Sequence, residues 1–87
     1  MTIETVAEML IVRFSPEDFQ RKPGAHDFIT GIKGQIGHYS KNPNGFDYDD
    51  KERQWVIADV PENRRILEEL RVRCFVDPDQ IDIFGER

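Results

Sequence analysis

The stretch that most limits what this chain can fold into runs from Gly45 to Asp59, Gly-Phe-Asp-Tyr-Asp-Asp-Lys-Glu-Arg-Gln-Trp-Val-Ile-Ala-Asp. Phe46–Asp49 alternates apolar and acidic residues, as a strand with one buried face does. Arg53–Ala58 is apolar on both faces, with Trp55 and Ile57 on one side and Val56 and Ala58 on the other. Two such runs joined by the charged turn Asp49–Glu52 predict a β-hairpin that places its first strand at a sheet edge and its second inside the sheet. The rest of the chain must supply the strands and helices that cover it.

Met9–Phe14 has five apolar residues in six, β-branched in the middle, and Ser15-Pro16 closes it. This predicts a second central strand. Met1–Glu8 is mixed in character and reads as a frayed end. Pro16–Gln20 can form one helical turn with proline at its first position, which Pro23-Gly24 ends. Over 26–39, Phe28, Ile29, Ile32, Ile36 and Tyr39 recur at helical spacing. Gly31, Gly34 and Gly37 interrupt that helix, each costing about 1 kcal/mol against alanine. Either a neighbouring element approaches closely at these glycines or the helix stops near Gly37. Lys41–Gly45 is a turn by composition. A second helix begins at Asp59-Val-Pro61-Glu62 and buries Ile66, Leu67, Leu70 and Cys74. Its outer face offers the four-apart pairs Arg64/Glu68, Arg65/Glu69 and Glu69/Arg73. After the Asp77-Pro-Asp turn, Gln80–Phe84 alternates as a short edge strand.

The predicted order is β-α-β-β-α-β in a single α+β domain over 1–87. That is a split βαβ, or ferredoxin-like, sandwich with both helices on one face of a four-stranded antiparallel sheet. The second sheet face is left open to solvent or to a partner. At 87 residues the chain buries roughly 60% of its unfolded surface, so the core must be small. The longest apolar run falls far short of the ~20 residues of a membrane span, and the first residues lack the basic start of a signal peptide. A cytoplasmic protein is expected. Cys74 is the only cysteine, and its place on an apolar stripe makes it a buried small hydrophobe.

The formal net charge of −5 opposes non-specific attraction to nucleic acid. The acidity is concentrated in the hairpin and the tail, whereas bases outnumber acids over 13–41 and 61–76. The carboxylates Asp47, Asp49, Asp50 and Glu52 do not form an EF-hand loop. Counted from Asp47, the sixth and twelfth positions are Glu52 and Ala58 instead of glycine and glutamate. His26 and His38 have no ligand-spaced companion, and Lys33 between glycines does not follow the last glycine of a phosphate loop. Neither a catalytic group, a metal nor a cofactor is expected. An RNA-recognition sheet would place two stacking aromatics on its central strands. This chain offers only Trp55, which reads as a core residue.

Residues 26–70 also contain Phe28-Ile-x-x-Ile-Lys33, Phe46-Asp-Tyr-Asp49 followed by Gln54-Trp-Val-Ile57, and Asn63-x-x-x-Leu67-x-x-Leu70. In this respect the chain resembles the HARP-type module of annealing helicases. The resemblance implies binding of branched or forked DNA beside a helicase motor, with Lys33, Lys51, Arg53 and Trp55 at the matching positions. The 87 residues hold no motor, and Asp-Asp-Lys-Glu-Arg-Gln over 49–54 replaces a shorter basic turn. Two functional expectations follow. The first is a non-enzymatic protein-interaction module, of adaptor or inhibitor type, that uses the acidic hairpin (Asp47, Asp49, Asp50, Glu52) or the open sheet face. The alternative is an accessory nucleic-acid-binding module using Arg21, Lys22, Lys33, Lys41, Lys51, Arg53, Trp55 and Arg64. Neither involves a membrane.

Overall fold

The computed structural model describes residues 1–76. The chain begins with strand β1 (Thr2–Val6), which turns into β2 (Met9–Arg13). A 3-10 turn (Pro16–Phe19) leads to helix α1 (Ala25–Gly31), which runs on into a π-helical turn (Ile32–Ile36). Strands β3 (Phe46–Asp49) and β4 (Gln54–Ala58) follow, and helix α2 (Pro61–Phe75) comes last. The sheet is antiparallel throughout, in the order β1-β2-β4-β3.

The α+β class and the four-stranded antiparallel sheet with two helices are therefore present. So is the central placement of the two strands that are apolar on both faces. The ferredoxin-like order is not: the described elements run β-β-α-β-β-α. The difference lies in the first eight residues, expected to be frayed. They form a hairpin, and β1 takes the edge beside β2 that the expected order reserved for a C-terminal strand. That expected strand, 80–84, lies outside the described residues. All five residues of β1 are exposed, so burial left no imprint on their pattern. The Met1 ammonium anchors the strand's start, 2.8 Å from Asp18 Oδ2.

The sheet's two faces differ. Leu10, Val12, Phe46, Trp55 and Ile57 point to the helices and join Phe28, Ile32, Ile36, Ile66, Leu67, Leu70 and Cys74 in one core. The three glycines of the first helix do three different things. Gly31 is where α1 meets α2, and a Cβ there would run into the methyl groups of Leu70. Gly34 faces open space. Gly37 ends the helix at φ +83°, a region glycine enters without strain. The helix thus stops at Ile36, and Tyr39 is exposed instead of completing the apolar stripe. Asn42 Nδ2 donates to the Ile36 carbonyl at 2.8 Å and caps the π turn. Asn63, buried at the start of α2, donates to the carbonyls of Asn44 and Ala58 and ties the 42–45 turn to the sheet.

On α2's outer face Arg65 bonds Glu69 as the spacing predicts, and Glu62 as well. Arg64 turns back to Asp59, and Glu68 pairs with Arg71, three residues on.

Candidate functional site

Strand register decides where the acidic residues of the hairpin stand. Asp47 pairs with Val56 and Asp49 with Gln54, so both carboxylates lie on the face away from the helices. Across the sheet, Val56 pairs with Ile11 and Ile11 with Glu4. One row therefore reads Glu4, Ile11, Val56, Asp47, with a carboxylate at each edge and two aliphatic residues between. Val6, Met9 and Ala58 lie in the next row on the same face. On the other side of the Glu4 row, Arg13 bonds both Glu4 and Gln54, and Gln54 Nε2 donates to Asp49. Ile11 is only 7% exposed although no helix among the described residues covers this face. It lies on an inner strand, flanked by Glu4 and Val56. Val6, 51% exposed, is the most open apolar residue here.

The four expected acidic residues do not act together. Asp49 Oδ1 accepts the backbone N–H groups of Lys51 and Glu52, both at 3.2 Å, so it closes its own turn. Asp50 and Glu52 project from the turn into solvent. Asp47 Oδ1 is 3.8 Å from His38 Nε2. Glu4, not singled out from the sequence, joins Asp47 and Asp49 on the open face in their place. Glu4 reaches this face because residues 2–6, expected to fray, form β1 and pair Glu4 with Ile11.

The basic residues of the alternative also separate. Arg21 donates to the Phe75 carbonyl at the end of α2 and lies over the Phe75 ring. Arg64 is bound to Asp59, which holds the Asp59 carboxyl below the usual range and raises the Arg64 guanidinium. Lys22, Lys41 and Lys51 are exposed on separate loops. Lys33 and Arg53, by contrast, each lie beside Trp55. Lys33 Nζ lies 5.9 Å above the Trp55 ring. Arg53 and Trp55 line a cleft of about 320 Å³ with Phe14, Phe19, Tyr48 and the Ser15-Pro16 segment. Trp55 is 8% exposed, as a core residue should be, but Tyr48 and Phe19 are each 41% exposed. Tyr48 and Trp55 ring centroids are 4.8 Å apart, and Phe14 and Phe19 meet edge-on at 5.7 Å. Among the described residues, neither Lys33 nor Arg53 has an ion-pair partner.

Two further groups are perturbed. Burial tends to raise Asp18, but hydrogen bonds from the Met1 ammonium and the Ser15 N–H outweigh it and leave the carboxyl below its ordinary value. Burial pushes the Cys74 thiol up, as suits a packing residue. No helix among the described residues is long and apolar enough to cross a membrane. Comparison with protein-family models, with curated proteins and with solved structures finds no match to this chain, so the HARP-type resemblance rests on its residues alone.

Proposed function

We infer that this domain is a non-enzymatic protein-interaction module that docks a basic, partly apolar protein segment on the open face of its sheet. One observation carries the reading: the row Glu4, Ile11, Val56, Asp47 sets aliphatic side chains between carboxylates on opposite edges of the sheet. Half-buried Val56 and exposed Val6 give the non-directional part of binding, with Ile11 buried beneath them. Flanking carboxylates select the partner and speed encounter more than they add affinity. Asp49 has a smaller part because its oxygens serve the turn and Gln54.

The test is an amide-resolved NMR titration with a short peptide carrying lysine at each end and valine or isoleucine between. Perturbations should concentrate on Glu4, Ile11, Asp47 and Val56. Reversing both edges with Glu4→Lys and Asp47→Lys should abolish them, and Asp50→Lys with Glu52→Lys should leave them in place. Loss of binding only in the second pair would move the site to the turn and end the open-face reading.

A further inference from the structure

We propose that the cleft between the Phe14–Phe19 segment and the β3–β4 hairpin binds one base of a single-stranded nucleic acid together with its two flanking phosphates. Tyr48 and Phe19 supply the stacking surface, while Arg53 in the cleft wall and Lys33 over the Trp55 ring each meet one phosphate. This site lies on the helix side of the sheet and does not depend on the open face.

Three observations lead to this ligand. The cleft, at about 320 Å³, is at the small end of the ~300–1,000 Å³ typical of small-molecule sites, which suits a single planar group. Its two most exposed aromatics stand on separate chain segments, and every base offers a face on which such rings stack. The two cations beside it are without carboxylate partners among the described residues, whereas Arg13, Arg64, Arg65 and Arg71 are all paired. A ligand with a ring at one end and an anion beside it matches both halves of the site.

A single strand is favoured over a duplex for two reasons. A base inside a duplex cannot reach an aromatic pocket without being unstacked and unpaired. A chain of net charge −5 with two cations at the site also cannot follow a duplex backbone by charge alone. Binding should therefore be local and only weakly sensitive to salt. With two phosphate contacts, log K should fall with log salt at a slope of about −1.4.

Trp55, the only tryptophan, reports on the cleft through its fluorescence. Titration of the full chain with a ten-nucleotide single strand at low salt should give saturable quenching. Tyr48→Ala should weaken binding about tenfold by removing one stacking surface. Arg53→Asn should weaken it a few-fold and reduce the salt slope by about 0.7; asparagine also tolerates the positive φ of +54° at this position. Circular dichroism establishes that each variant is folded, and Glu8→Gln, exposed in the β1–β2 turn away from the cleft, should bind as the parent does. The proposal is overturned by absence of quenching in the folded parent, or by unchanged binding in Tyr48→Ala. A salt slope of −4 or steeper would place the contacts along the scattered basic residues and overturn it too. A nucleoside monophosphate binding as tightly as the strand would exclude the strand as the ligand. Tighter binding of a proline-rich peptide would assign the aromatic surface to protein instead.

Discussion

The two faces of this sheet are built from the same strands, yet they obey different constraints. Ile57 and Val56 are neighbours in β4, and alternation sends one into the helix-covered core and the other onto the open face. On the covered side Leu10, Val12, Phe46, Trp55 and Ile57 pack into the core against the helices. On the open side the aliphatic centre is flanked by charge. Substitutions on the first face should therefore be felt as lost folding, and those on the second as lost recognition.

The sharpest way to break this contrast is to truncate both neighbours. Ile57→Ala should cost about 3 kcal/mol in urea unfolding, and Val56→Ala less than about 1 kcal/mol. Equal costs would mean that the open face is as well packed as the core. Next in size is Gly31→Ala. Its new methyl meets Leu70, and the resulting overpacking outweighs the gain of about 1 kcal/mol in helix propensity. A net loss of about 1–2 kcal/mol is expected, and Leu70→Ala in the same chain should recover part of the strain.

Asp18→Asn probes the clasp that fixes the start of β1, and it should cost about 1–2 kcal/mol at neutral pH. Because the Asp18 carboxyl is held below its ordinary value in the folded chain, its contribution is complete above the unfolded pKa of about 3.9 and fades as pH falls through the folded one. Parent and variant should thus converge in acid, and a gap that persists there would exclude the ion pair as the cause. Ala7→Gly should stabilise the protein by about 0.5–1 kcal/mol, since alanine is strained at φ +56° and glycine is not. The smallest effect on folding belongs to Asp47→Lys, within about 0.5 kcal/mol, in the variant expected to lose most of its open-face binding.

The two hairpins explain what could be read from the sequence. The β3–β4 hairpin was legible because Phe46–Asp49 alternates, Arg53–Ala58 is doubly apolar and an aspartate heads the turn. The β1–β2 hairpin was not, because Ala7-Glu8 has neither the asparagine nor the glycine that usually marks a two-residue turn. Its strand also buries nothing that would imprint alternation. Without that hairpin the order β-β-α reads as β-α, and the second edge falls to the tail. Helix α2 was plain from Ile66, Leu67, Leu70 and Cys74. The end of the first helix was hidden because three identical glycines serve as a contact point, an open position and a stop. For the binding surfaces, alternation could have placed Asp47 and Asp49 opposite Tyr48. It could not show that Asp49 closes its own turn, or that Phe19 and Tyr48, 29 residues apart, line one cleft.

The Glu4–Ile11–Val56–Asp47 row also sets a ruler. Four strands separated by about 4.8 Å place the two outer carboxylate-bearing positions about 14 Å apart. An extended segment lying along the row, at about 3.4 Å per residue, meets both with lysines four residues apart. A helix rises about 1.5 Å per residue and needs its cations nine or ten residues apart. Lysine spacing alone should therefore tell in which conformation a partner crosses this sheet.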